Sequence, residues 1–209
     1  MILLDNDVIH KLGYCNLLDD FLSLLKLDEI QIYVLETAEY VLKNKTKKAG
    51  QKECFDRIKS FLAVVKKYTN PDEKIIGELE KNIGIDAGEA VLISALIVYK
   101  ESVFITGDKR CLKALAESAF YKAYASQLLE KVICFEQIIL WLIEKFGFNQ
   151  IYPKVHCAKE IDKALRSIFT SSATEESVKE GLNSYIKDLK AGTNDLLCLD
   201  SERVLSSKF

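Results

Sequence analysis

MILLDND at residues 1–7 and VFITGD at residues 103–108 are the stretches of sequence that decide the fold. Each is a short apolar run that ends in acidic residues, which is typical of a buried strand followed by a turn. Strand patterns alternate with helical patterns along the chain, and the intervening segments are long enough for parallel crossover connections. We therefore expect an α/β domain over about residues 1–147.

The remaining elements follow from hydrophobic spacing. Two more strands are predicted where β-branched residues alternate or cluster, at 30–34 and 132–135. Apolar residues at helical spacing predict helices at 17–27, 36–42, 54–65, 72–82, 87–99, 109–119 and 136–146. Residues 87–99 are apolar on most faces, which indicates a largely buried helix.

The pattern changes near residue 147. Residues 147–155 are predicted to be a linker, and two helical patterns follow at 158–169 and 175–190. We therefore divide the chain into a domain at 1–147 and a helical C-terminal extension at 148–209.

Composition narrows the class of protein. The net charge of −2 argues against a globally basic nucleic-acid binder, although a local basic patch is compatible with it. Six scattered cysteines without a C-x-x-C pair make a zinc site improbable. Without a secretion signal pattern or a long apolar run, we expect a cytoplasmic protein with reduced cysteines and no membrane partner.

Acidic residues mark the ends of two predicted strands and the start of one helix. Asp5 follows the first strand, Asp108 follows the strand at 103–106, and Glu89 lies in the first turn of the helix at 87–99. Strand ends meet at one edge of a parallel sheet, so these carboxylates are expected to lie close together. Like charges at that spacing need an offset, and a divalent ion such as Mg²⁺ or Mn²⁺ is the simplest one.

Each acidic residue also has a purely structural interpretation. Asp5 is a common turn residue, and Asp7 is suited to cap the next helix. Asp86 and Glu89 have the spacing of a capping box before an apolar helix. These interpretations remain open alongside a metal-binding role.

A basic segment lies between residues 41 and 67, where lysines and one arginine outnumber two acidic residues. Such a face could neutralise phosphates beside an acidic site. A solvated helix surface, or a patch for an acidic partner, explains it equally well. The predicted RNA-binding residues are Lys43, Lys45, Lys47, Lys48 and Lys52, with Lys109 and Arg110 beside Asp108.

Four short motifs in order resemble the PIN-domain nucleases, which include toxins of the VapC type. The matching stretches are Leu4–Asp7, Ala38–Tyr40, Ala87–Ala90 and Thr106–Lys109, and the resemblance covers about residues 1–140. Asp7 stands where that family often has Asn, which makes the site more acidic. The chain after about residue 150 has no counterpart in small PIN toxins.

The resemblance implies a PIN-like three-layer α/β/α fold and a metal-dependent endoribonuclease. It implies that Asp5, Glu39, Glu89 and Asp108 are catalytic, and that Asp5, Glu89 and Asp108 hold Mg²⁺ or Mn²⁺. A toxin role with a protein antitoxin, and a homodimer, are further expectations. The chemistry needs no histidine, and we interpret His10 as a helix-surface residue and His156 as part of the linker.

Two other functions remain. Asp5 and Asp7 imitate the nucleophile and acid/base pair of haloacid-dehalogenase phosphatases, but the second Asp expected after the later strand is missing. The chain could also be a PIN-like scaffold that binds RNA or protein without cleaving it.

Overall fold

A parallel sheet forms the centre of the molecule in the computed structural model, which describes residues 1–25, 31–48 and 51–200. Its strand order is β3-β2-β1-β4-β5, and all four pairings are parallel. The strands are β1 (Ile2–Leu4), β2 (Ile32–Leu35), β3 (Lys66–Tyr68), β4 (Val103–Thr106) and β5 (Val132–Cys134).

Helices connect the strands and extend beyond the sheet. They are α1 (Asn6–Tyr14), α2 (Leu18–Leu24), α3 (Ala38–Lys48), α4 (Lys52–Leu62), α5 (Glu73–Leu79), α6 (Ala87–Val98), α7 (Lys109–Glu117), α8 (Ala119–Leu128), α9 (Phe135–Phe146), α10 (Phe148–Ala158), α11 (Lys163–Ile168) and α12 (Glu175–Ala191), with a 3₁₀ turn at Lys159–Ile161.

The helices form two groups around the sheet. In one group, α1, α3 and α4 contact one another, and α2 contacts α1, α4 and α9, on which α10 and α12 also pack. In the other group, α6 contacts α5 and α8, and α7 contacts α8. Strands β1 and β4 are wholly buried, as their continuous apolar runs predict. This arrangement confirms the predicted α/β class and is consistent with three layers.

Several boundaries differ from the predictions. Strand β3 was not predicted, because its sequence KKY lacks an apolar run and its lysines are exposed at the sheet edge. Helix α8 was also missed, having a kink at Tyr124 that interrupts its spacing. Residues 26–30, in which the predicted helix at 17–27 ends and the predicted strand at 30–34 begins, lie outside the described residues.

The predicted linker at 147–155 is wrong, because this segment forms most of helix α10 and packs on α9. Ile151, Val155, Leu165 and Phe169 are fully buried in the hydrophobic cluster that also contains the sheet. Within the described residues, the extension therefore shares its core with residues 1–147. No described helix has the length and apolar character needed to cross a membrane.

Candidate functional site

Asp5 sits at the carboxyl end of β1, against the neighbouring strand β4. Its backbone N–H donates to the Ile105 carbonyl at 3.0 Å, which continues the β1–β4 pairing by one residue. Only 8% of Asp5 is exposed. The Thr106 hydroxyl donates to Asp5 Oδ2 at 3.0 Å and so holds the carboxylate at the carboxyl ends of the strands.

Thr106 also links this position to Asp108. Its Oγ1 accepts the Asp108 backbone N–H at 3.1 Å. The predicted strand neighbours β1 and β4 are paired, and one hydroxyl joins the Asp5 carboxylate to the backbone of Asp108. The Asp108 carboxylate caps helix α7 by accepting the N–H groups of Arg110 at 2.8 Å and Cys111 at 3.2 Å. The Arg110 side chain adds a bond at 3.1 Å.

Glu89 is held in the first turn of α6 by a capping box. Its Oε2 accepts the Asp86 N–H at 2.8 Å, and Asp86 Oδ1 accepts the Glu89 N–H at 2.8 Å. The capping interpretation of this pair is therefore confirmed. Glu89 is 6% exposed.

Asp5 and Glu89 carry charge that the fold opposes. Burial raises the pKa of Asp5 to about 6, with the nearby charges of Asp7 and Asp86 adding to the effect. Burial likewise raises the pKa of Glu89 to about 7, and Asp86 and Asp5 contribute to the rise. Across the described residues, neither of these carboxylates forms an ion pair.

Asp108 behaves differently, although it lies at the same edge. Burial alone would raise its pKa, but the hydrogen bonds from Arg110 and Cys111 outweigh burial and lower it. Asp108 is therefore ionised at neutral pH without help from a bound cation. We call Asp5, Glu89 and Asp108 together the acidic edge, where edge means the side of the sheet at which the strands have their carboxyl ends.

Next to the acidic edge lies a lysine network made of Asp7, Lys11 and Asp162. The Lys11 ammonium lies 2.7 Å from Asp7 Oδ2 and 2.7 Å from Asp162 Oδ2, and Lys45 lies 3.3 Å from Asp7 Oδ1. Burial would lower the pKa of Lys11, but the two carboxylates outweigh it and raise the pKa. Asp7 thus has cationic partners that Asp5 lacks.

Gly107 makes room for this network. A Cβ atom at Gly107 would lie 2.6 Å from Asp7 Oδ2 and 2.8 Å from Lys11 Nζ, both too close for a real contact. The predicted N-cap role of Asp7 is wrong, because Asp5 is the N-cap of α1 and Asp7 lies in its first turn. Asp7 instead forms an ion pair with the buried Lys11.

The other predicted site residues are spread around this edge. Glu39 is exposed in the first turn of α3 and, within the described part of the chain, makes no hydrogen bond or ion pair. Lys109 lies 2.6 Å from Glu136 Oε1 and 4.3 Å from the centre of the Tyr185 ring. Arg110 is highly exposed. The predicted RNA-binding lysines of α3 and α4 are all exposed, namely Lys43, Lys45, Lys47, Lys48 and Lys52.

The two histidines lie elsewhere than expected. His10 is 4% exposed, so its interpretation as a surface residue is wrong. Its Nε2 is 3.0 Å from Gln51 Oε1. His156 belongs to helix α10, and its Nδ1 is 2.8 Å from the Phe169 carbonyl. Neither contact involves the acidic edge.

Sequence reasoning missed Thr106, Lys11, Asp162 and Cys111. The spacing of Asp7 and Lys11 at i and i+4 on one helix was a usable signal for their pairing. Asp162 could be predicted only as a helix N-cap, because its contact with Lys11 joins segments that are distant in the chain.

No group of three or more His, Cys, Asp or Glu in the described residues is placed to hold a metal ion.

No protein-family model, curated protein or solved structure matches this chain.

Proposed function

We propose that this chain is a metal-dependent endoribonuclease with a PIN-like domain, which hydrolyses RNA phosphodiester bonds. The observation that carries the proposal is the pair of buried carboxylates at one sheet edge, Asp5 and Glu89. Their pKa values are raised to about 6 and about 7, and neither forms an ion pair in the described residues. Raised pKa values at a shared edge are typical of functional sites.

The residues present fit Mg²⁺ or Mn²⁺ in their chemistry. Carboxylate oxygens suit these hard cations, and Mg²⁺ commonly binds through one or two carboxylates while keeping several waters. Asp5 and Glu89 would hold the ion, with Asp108 at the same edge, and positive charge there would offset the repulsion between them. When bound, such an ion lowers the pKa of a coordinated water and stabilises charge on phosphate oxygens.

The protein's own residues have defined tasks in this proposal. Thr106 orients Asp5 and tethers Asp108 through two hydrogen bonds at 3.0 and 3.1 Å. The capping box aims Glu89 at the same edge. The exposed lysines of α3 attract the RNA backbone, and Lys45 connects that helix to the edge through Asp7.

A phosphatase with Asp5 as nucleophile and Asp7 as acid/base has less support. Asp7, the required proton carrier, is tied to Lys11 at 2.7 Å and to Lys45 at 3.3 Å. The toxin role with a protein antitoxin, the homodimer and the cytoplasmic location stay predictions.

The test is cleavage of a labelled mixed RNA pool with Mn²⁺, with Mg²⁺ and with EDTA. We compare the wild type with Asp5→Asn, Glu89→Gln and Asp108→Asn, and use Lys187→Gln on α12 as a matched control. Metal-dependent cleavage that is lost in the three edge variants and kept in the control supports the proposal. Cleavage that survives in folded Asp5→Asn and Glu89→Gln contradicts it, and binding without cleavage favours a scaffold.

A further inference from the structure

Helix α3 exposes an aromatic ring among lysines. Tyr40 is 73% exposed and its neighbour Val41 is 41% exposed, which is unusual for two adjacent large side chains. An open groove of about 590 Å³ lies over this face. The α3 groove is lined by Tyr40, Val41, Asn44, Lys45 and Lys48.

The sequence of α3 explains why this face is unpartnered. Ala38, Leu42 and Thr46 are the buried residues of the helix and hold it against the protein. Tyr40, Asn44 and Lys48 recur every four residues on a different face, so they stay in solvent. The packing of α3 therefore makes no use of the Tyr40 ring.

Positive charge surrounds the ring. Lys43 and Lys47 are exposed and follow Tyr40 at helical spacing on one side, while Lys45 and Lys48 line the groove. Within the described residues, Lys43, Lys47 and Lys48 form no ion pair, so their charges are available to an external anion. A charged groove with an aromatic ring is the arrangement that binds unpaired nucleotides by stacking.

The α3 groove also adjoins the acidic edge. Lys45 lines the groove, and its ammonium lies 3.3 Å from Asp7 Oδ1. Asp7 in turn packs against Gly107, between Thr106 and Asp108. Lys45 and Asp7 therefore connect the α3 groove to the segment that carries Asp108.

We propose that the α3 groove is a nucleobase subsite, in which one unpaired base of the substrate stacks on Tyr40 while Lys45 and Lys48 hold the flanking phosphates. This inference rests on the proposed function, because it names how that site would select its substrate. Duplex RNA cannot use the subsite, since its bases are already stacked on one another. An acidic protein segment would use the lysines but would not require an aromatic ring.

The experiment separates binding from cleavage. Fluorescence anisotropy in EDTA measures the affinity of the full chain for a labelled single-stranded RNA and for a blunt-ended duplex stem of the same composition, which has no loop. We compare the wild type with Tyr40→Ala and Tyr40→Phe. Tyr99→Ala is the matched control, because Tyr99 is 39% exposed but lies outside the groove.

We expect Tyr40→Ala to bind single-stranded RNA roughly 5- to 160-fold more weakly, which corresponds to the loss of one base stack. Tyr40→Phe should restore binding, and neither variant nor Tyr99→Ala should change binding to the stem. Equal losses for both RNAs, or no loss, would overturn the subsite. So would a wild type that ignores RNA and binds polyglutamate.

The same variants with Mn²⁺ keep the two proposals distinct. Tyr40-dependent binding without metal-dependent cleavage would sustain the subsite and contradict the nuclease. Cleavage that is lost in Asp5→Asn but unchanged in Tyr40→Ala at limiting RNA would sustain the nuclease and overturn the subsite.

Discussion

Asp5 and Asp7 are two residues apart, yet the fold treats their carboxylates in opposite ways. Asp7 has Lys11 at 2.7 Å and Lys45 at 3.3 Å, and Lys11 also reaches Asp162 of the extension. Asp5 has a hydroxyl partner, Thr106, and lies near other carboxylates that help raise its pKa to about 6. Lysines neutralise the charge of Asp7, whereas Asp5 has no cationic partner in the described residues.

The difference separates structural carboxylates from candidate functional ones. A buried ion pair that is complete costs little, whereas an isolated buried charge destabilises the folded state. Asp5 and Glu89 are buried and form no ion pair in the described residues, so their ionised forms lower the stability of the folded state. The proposed metal ion would offset that cost.

The largest expected effect comes from removing the cation of the lysine network. Lys11→Met keeps the aliphatic length but leaves Asp7 and Asp162 facing each other without an ammonium. We expect the free energy of unfolding to fall by about 3–5 kcal/mol, the cost of breaking a buried pair. Urea denaturation followed by circular dichroism measures the loss.

Lys45→Met is the control for that measurement, because the Lys45 side chain is 44% exposed. It should cost less than about 1 kcal/mol. Adding Asp7→Asn and Asp162→Asn to Lys11→Met should recover most of the loss, since the stranded charges are then gone. Equal costs for Lys11→Met and Lys45→Met would show that burial of the lysine does not set the cost of losing its ion pairs.

A substitution at Asp5 is expected to change the free energy of unfolding in the opposite direction. Asp5→Asn removes an uncompensated charge and keeps an oxygen for the Thr106 hydroxyl. At about pH 8 without metal it should raise the free energy of unfolding by about 2–3 kcal/mol, given the rise of the Asp5 pKa to about 6. RNA cleavage should be lost in the same protein.

Asp7→Asn provides the matched comparison, since the chemical change is identical. It removes a partner of Lys11 and should lower the free energy of unfolding by about 1–2 kcal/mol. Thermal unfolding of both variants in EDTA decides the sign. If both variants are destabilised alike, Asp5 has a compensating partner and the metal proposal loses its main support.

A pH titration should show the same uncompensated charges in the wild type. Asp5 and Glu89 have pKa values raised from 3.8 to about 6 and from 4.5 to about 7, so between the lower and the upper values the folded state binds more protons than the unfolded state. As the pH falls from about 8 to about 5, these two acids should add about 2 kcal/mol to the stability in EDTA. His10 opposes part of this gain, because burial lowers its pKa. The gain is less than additive, because protonating one acid relieves the other.

The double variant Asp5→Asn/Glu89→Gln identifies the source of this dependence. Its urea midpoint should no longer rise as the pH falls across the same range, and buried His10 should make it fall slightly. Saturating Mn²⁺ should also flatten the wild-type slope by favouring the ionised forms. A midpoint that still rises as the pH falls in the double variant assigns the rise to other groups.

The surroundings of Asp5 and Asp7 also show which features of the protein its sequence could predict. Local patterns were sufficient for β1, β4 and the capping box at Asp86 and Glu89, because strand runs and caps are encoded within a few residues. The pairing of β1 with β4, the strands that Asp5 and Asp108 follow, was expected from the parallel topology. The Lys11–Asp162 contact was beyond reach, because it depends on how α11 docks more than 150 residues after α1 begins.

Surface placement was equally hard to predict, and Glu39 is the example. Its motif matched the PIN resemblance, but the residue is exposed in the first turn of α3 and makes no hydrogen bond or ion pair within the described residues. Position in a motif constrains the backbone, whereas the environment of a side chain depends on neighbours from other elements.

Glu39→Gln is therefore expected to have the smallest effect. The unfolding midpoint should not change, because no described contact is lost. Cleavage should fall by less than about tenfold, against the loss of about 100-fold or more expected for a group that holds the metal. Glu89→Gln, with the same chemical change at a buried position, is the matched control in a steady-state cleavage assay with Mn²⁺. A loss in Glu39→Gln as large as in Glu89→Gln would mean that α3 moves towards the edge when RNA binds, since the exposed carboxylate could then act only after such a shift.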